Sequence, residues 1–370
     1  MIYLDYQATT PLAPEARDAM LPWLDKFGNP HSPHRPGREA AAAVEIATSE
    51  VAATLGDASG DGRLIFTSGA TEAANWALQG AVLRGTRRRI VTVATEHACV
   101  LDTADSLASR ELEIVILPVL ANGLVDLDAA AAAIDDRTAL VATMLVNNEI
   151  GVIQPIVELA HMAHQAGTLF FCDAVQGFGR IQLPLDACDL VAISAHKIHG
   201  PKGIGALWLR EGLDWPPLIH GGGQQQGLRS GTLSPMLCAG FGTAAAIARN
   251  RQEQDSLHIK SLSSLADELF QEWTLNGDAA HRYGGNRNLR REGIDASRLI
   301  SEVRDVAFSA GSACASGSGR PSHVLRALGL SDRQARGSIR LGFGRYTTQE
   351  ELRDAAALIN QAAARQLEWV

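Results

Sequence analysis

Seven short stretches of the chain are apolar almost throughout: RLIFTS (63–68), RIVTVAT (89–95), LEIVILPV (112–119), ALVATMLV (139–146), TLFFCDA (168–174), DLVAIS (189–194) and IGALWL (204–209). Between them apolar positions recur with a helical period. VELAHMAHQAG is one such helix, which Gly167 should end, and REAAAAVEIATSEVAATLG is another, which Gly56 should end. Strands hydrophobic on both faces and separated by helices predict a mainly parallel sheet covered on both sides. IGALWL follows DLVAIS with no room for a crossover helix, so antiparallel pairing is expected there.

After about residue 250 the texture changes. QEQDSLHIKSLSSLADELFQEW reads as a long amphipathic helix, followed by a polar, Arg-rich stretch, a Gly/Ser loop around Cys314, and a closing helix in EELRDAAALINQAAARQLEW. The expected division is a large domain over 13–250 and a smaller α+β domain made of 1–12 and 251–370.

Composition narrows the partners. The 370 residues carry 33 Lys+Arg against 41 Asp+Glu, a formal charge of −8, which argues against a nucleic-acid or anionic-membrane partner. No stretch reaches the ~18 uninterrupted apolar residues of a membrane-spanning helix. The start, MIYLDYQATTPL, lacks a basic segment followed by an apolar one, so a cytoplasmic protein is expected. Cys99, Cys172, Cys188, Cys238 and Cys314 are scattered without a CxxC pair, which fits neither a disulfide framework nor a metal site. Cys314, in GSACASGSG, stands apart because its small, flexible neighbours offer no apolar packing to bury it.

Open α/β sheets bind ligands at the carboxyl ends of their strands. FTSGATEAAN passes from strand through Ser68-Gly69-Ala70-Thr71 into a helix, either a phosphate cradle of backbone N–H groups or an ordinary capped turn. His97, Asn147, Asn148, Asp173 and Gln176 also fall at or just after strand ends, where a histidine is more often structural and where turn caps and an N-cap aspartate are equally available readings. SAHKIHGPKG (194–203) places Lys197 at the end of an apolar strand, where an ammonium resists loss of water. Together, an anion cradle, a ring able to stack, an amide, a buried carboxylate and a lysine are the parts needed for pyridoxal phosphate. Asp173 would keep the pyridine nitrogen protonated, and Lys197, its pKa lowered by partial desolvation, would form the imine.

The stretches IYLDYQATTP, FGNPHSPH, FTSGATEAAN, TEHACVLDT, VNNEIGVIQPI, DAVQGFG, SAHKIHGPKGIGAL, HGGGQQQGLRSGTLS, GSACASGSG, HVLRALGL and SIRLGFGRYTT run in order nearly end to end. In them the chain resembles the cysteine desulfurases, the NifS/IscS-like group of the class V, fold-type I pyridoxal-phosphate enzymes. The resemblance implies an α/β fold-type I transferase with a seven-stranded, mainly parallel sheet. It implies that Ala70 and Thr71, with Ser194 and His196, bind the cofactor phosphate, and that His97 stacks on the ring and serves as an acid/base. Asn148 and Gln176 would hydrogen-bond the side of the ring bearing the phenolic oxygen, Asp173 would pair with the ring nitrogen, and Lys197 would be the Schiff-base lysine. Thr232 would reach the phosphate of a partner subunit, which implies a homodimer with shared sites. Arg340 would clamp the carboxylate of L-cysteine, and Cys314 would take its sulfur as a persulfide, leaving alanine and passing the sulfur to an acceptor protein.

The chain also departs from that group. GGNRNLRREGIDASRL (284–299) carries charges where the family has an apolar strand, so a frayed or rebuilt small sheet is expected. HGGGQQQG has glutamines where relatives often carry His and Glu. The sequence given ends at Val370, without the longer tail with which housekeeping members dock an iron–sulfur scaffold. Alternative readings are a selenocysteine lyase or other class V lyase, for which Cys314 would be less needed, and a non-catalytic scaffold.

Overall fold

A computed structural model describes residues 1–57, 60–311 and 322–368. After a short strand β1 (Ile2–Tyr3), the seven apolar stretches form β2 (Gly62–Thr67), β3 (Arg89–Val93), β4 (Glu113–Leu117), β5 (Thr138–Met144), β6 (Leu169–Asp173), β7 (Leu190–Ser194) and β8 (Gly205–Arg210). They make one sheet in the order β2-β8-β7-β6-β5-β3-β4. Every pairing is parallel except those of β8, which runs antiparallel to both β7 and β2. Residues of β3, β5 and β7 are buried along their whole length, as two-sided cover by helices requires. The helix Arg35–Leu55 ends on Gly56, whose φ of 100° is the left-handed cap that glycine adopts without strain.

Two apolar clusters cover the two faces of this sheet. A third is built from Leu4 and from residues between Leu262 and Ala363. It surrounds a second sheet of β9 (Thr274–Leu275), β10 (Asn286–Arg290), β12 (Ser309–Ala310) and β13 (Ser338–Gly342), with β11 (Val306–Ala307) pairing separately with β1. The long helices Gln252–Leu269 and Gln349–Leu367 pack on this side, the latter opened by a capping box of Thr348 and Glu351.

The expectation of a frayed strand at 284–299 is corrected. β10 pairs over its whole length, Asn286 to Arg290 against Gly342 to Ser338 of β13. It tolerates polar residues because each is given a partner, which offsets the cost of burial. Arg287 forks onto Asp267 at 2.8 and 3.0 Å. Asn286 donates to the Asn148 carbonyl at 3.3 Å and Asn288 to the Glu149 carbonyl at 3.1 Å. The two asparagines, two residues apart, share one face of the strand and so hold one turn of the large sheet. Among the described residues, no helix is long and apolar enough to cross a membrane.

Candidate active site

The carboxyl ends of the strands open into a cavity of about 600 Å³, within the range of small-molecule and cofactor sites. One wall is the turn into the helix Ala70–Arg84. Its N-cap is Gly69, which offers no side chain, so no Ser or Thr oxygen occupies the first-turn N–H groups. Ser68, Gly69, Ala70 and Thr71 all line the cavity. The neighbouring strand approaches closely: a Cβ on Gly205 would meet the Gly69 carbonyl carbon at 2.8 Å and the Ala70 nitrogen at 2.9 Å, so glycine there keeps the cradle open. The geometry fits a phosphate at a helix N-terminus.

His97, Asn148, Asp173, Gln176, Ser194, His196, Lys197 and Arg340 line the same cavity. Of the two asparagines at the end of β5, Asn147 is the turn cap: its Oδ1 accepts from the Glu149 and Ile150 N–H groups at 2.8 and 2.9 Å. That leaves Asn148 facing the cavity. Thr232 is exposed and lies outside this subunit's cavity lining. Cys314 lies outside the described residues.

Burial dominates the electrostatics of the titratable groups here. Burial raises the pKa of Asp173, against the favourable fields of His97 and Lys197 and the Val175 N–H, which donates to Asp173 Oδ1 at 3.0 Å. Burial lowers the pKa of His97, and Lys197 and His323 push the same way. His97 Nδ1 accepts from the Cys99 N–H at 3.1 Å. His196 is lowered to about 4 by burial and by Lys197, Lys202 and Arg180, so its ring is neutral at physiological pH, with Nδ1 3.2 Å from Thr9 Oγ1. Lys197 Nζ donates to the carbonyls of Gln7 and Ala8 at 2.6 and 2.7 Å.

Sequence reasoning missed the segment 5–10, which crosses the site. Besides holding Lys197, it gives Thr10 to the His196 carbonyl at 2.9 Å and Asp5 to Arg340 at 2.6 Å. Its carbonyls act as backbone, so composition gave no signal; only the motif IYLDYQATTP marked it. Glu96 was also missed. It is wholly buried, accepts the Met144 N–H at 2.7 Å, and burial pushes its carboxyl well above the ordinary value. One of the altered glutamines has a structural task. Gln225 grips the open edge of β2, accepting from Phe66 N at 2.7 Å and donating to Phe66 O at 2.9 Å.

A sheet with one antiparallel strand, a phosphate cradle, a buried aspartate and a strand-end lysine define a pyridoxal-phosphate enzyme of fold type I. The chain belongs to the class-V aminotransferase family, whose model matches residues 2–354. It is similar to the cysteine desulfurase IscS of Rickettsia bellii, 46% identical over 371 residues that span 97% of this chain and 90% of that protein. Among solved structures, a NifS-like protein superposes with a TM-score of 0.91 at 31% identity, covering 98% of this chain and 99% of its own. SspA, solved in complex with cysteine, superposes with a TM-score of 0.84 at 33% identity, covering 94% and 100%.

Proposed function

We propose that the chain is a cysteine desulfurase that removes sulfur from L-cysteine, releases L-alanine and holds the sulfur on Cys314 for an acceptor protein. One observation carries this reading: the Lys197 amine and the Arg340 guanidinium line a single cavity with Asp173 and the Gly69 cradle. Pyridoxal phosphate, when bound, supplies an aldehyde that captures amines and a ring that draws electrons from the Cα of a captured amino acid.

The protein's own groups supply the rest. Ala70, Thr71, Ser194 and His196 hold the phosphate, with Thr232 of a second copy reaching it across a homodimer. With the cofactor bound, His97 would lie against the ring, Asp173 would hold a proton at the ring nitrogen, and Asn148 and Gln176 would hydrogen-bond its oxygen side. Arg340 takes the substrate carboxylate in its fork, which orients the Cα–H bond toward Lys197. Lys197 Nζ then removes the Cα proton. The Cys314 thiolate attacks the substrate sulfur; the S–S bond forms as the Cβ–S bond breaks, and the carbon skeleton leaves as alanine after reprotonation. Division near residue 250 puts Arg340 and Cys314 on a small domain and Lys197 on a large one. A cytoplasmic setting suits a thiol that must stay reduced between turnovers.

The test is release of alanine and sulfide from L-cysteine, run beside L-selenocysteine, with dithiothreitol present. Both products from L-cysteine are expected. Alanine from L-selenocysteine alone would move the assignment to a selenium-specific lyase.

A further inference from the structure

Lys197 is held at both ends by one closed ring of hydrogen bonds. Its Nζ donates to the Gln7 carbonyl at 2.6 Å, and Gln176 Nε2 donates to that same carbonyl at 2.9 Å. Gln176 Oε1 accepts from Arg180 Nη1 at 2.7 Å, and Arg180 Nη2 returns to the carbonyl of Lys197 itself at 2.5 Å. A side-chain amide can sit either way round, but a guanidinium has only donors. Arg180 therefore makes Gln176 present its oxygen to the guanidinium and its nitrogen to Gln7.

The charge on Arg180 has no carboxylate partner among the described residues. Its guanidinium lies over the Tyr283 ring, 5.3 Å from the centroid. Both Arg180 and Lys197 line a second cavity of about 30 Å³, room for about one water, so screening there is slight. Asp255, which also lines it, is taken by Arg345 at 2.8 Å and Arg251 at 3.4 Å. Neutral His196 and His199 flank Lys197 in sequence. On the other side Lys197 shares the main cavity with His97, Asp173, Arg340 and Lys202.

We propose that Arg180 is a positioning residue for Lys197: its fork sets the Gln176 amide and anchors the lysine backbone, and its unpaired charge favours the neutral lysine nitrogen. This rests on Lys197 being the residue that holds the cofactor. That premise is checked separately, since Lys197→Ala must lose the visible absorbance of the cofactor-loaded protein.

The experiment is a pH titration of that absorbance, whose midpoint reports protonation at the nitrogen of Lys197, alongside steady-state kinetics. Arg180→Met, which keeps bulk but not charge, should move the midpoint upward by about one pH unit. Arg180→Lys, which keeps the charge and loses the fork, should leave the midpoint in place while lowering kcat about tenfold at unchanged KM. An unmoved midpoint in folded Arg180→Met overturns the electrostatic half. If Arg180→Met does not fold, Arg180→Lys decides: wild-type kcat in that variant overturns the orienting half.

Discussion

Arg340 Nη2 donates to Asp5 Oδ1 at 2.6 Å, and the arginine side chain is 1% exposed against 19% for the aspartate. The same guanidinium donates through Nη1 to the Asn148 carbonyl at 3.2 Å. A side chain so held is pre-set for a second anion. Replacing Arg340 with Gln should raise KM for L-cysteine by roughly 10- to 100-fold, the value of one charge-assisted hydrogen bond lost, with a smaller change in kcat. A KM unchanged within twofold would show that the substrate carboxylate binds elsewhere.

Lys197→Ala should purify colourless, without the absorbance near ~400–420 nm of lysine-bound pyridoxal phosphate, and should release no alanine. Spectra and product analysis on one preparation check both points. A yellow, active variant would end the assignment of Lys197.

Cys314→Ala should retain the wild-type spectrum and lose sulfide release from L-cysteine. Mass spectrometry of the wild-type protein after one turnover without reductant should find one added sulfur on the peptide bearing Cys314. Full activity in the variant refutes transfer to this thiol.

The Arg287–Asp267 pair should respond asymmetrically. Asp267→Ala leaves a buried guanidinium without its carboxylate and should cost about 1–3 kcal/mol in urea unfolding. Arg287→Leu removes the charge and fills the site with apolar volume, so it should be near neutral. Equal losses in the two variants would mean that packing of the arginine stem, not the ion pair, holds the strand.

Stability should fall in mild acid. Burial, with Arg345 and Arg180 adding to it, depresses His199 from 6.5 to about 3. The unfolded chain gains a proton near pH 6.5 that the folded one refuses, so stability is lost as pH drops from about 6.5 toward about 3. His199 has φ of 68°, a conformation asparagine tolerates, and its Nδ1 is 2.9 Å from the Pro11 carbonyl. His199→Asn should therefore fold and show a shallower decline in denaturation midpoint between pH 6.5 and 4. A slope equal to wild type assigns the acid sensitivity to other groups.

Much of the large sheet was readable because its strands are buried on both faces and so advertise themselves as apolar runs. The antiparallel placement of β8 followed from chain length alone. β10 was misread for the opposite reason. Its Asn286, Arg287 and Asn288 look like surface, and only the fold reveals that Asn148, Glu149 and Asp267 await them. At the site, side chains with chemistry such as Lys197, Asp173 and His97 stood out at strand ends. The carbonyls of Gln7 and Ala8 had no residue-type signature, and the residues alone did not tell Asn147 from Asn148; the resemblance singled out Asn148, and the turn shows Asn147 as its cap.

The segment 5–10 also sets an order of assembly. Residues among the first to leave the ribosome are those that Lys197 and Arg340 hold, across sequence separations of 190 and 335. The large sheet can collapse during synthesis, but the pocket cannot be finished until translation has passed β13. Until then the early segment can reach Lys197 but not the strand that carries Arg340, and nascent chains stalled short of position 342 should hold pyridoxal phosphate more weakly than the full chain.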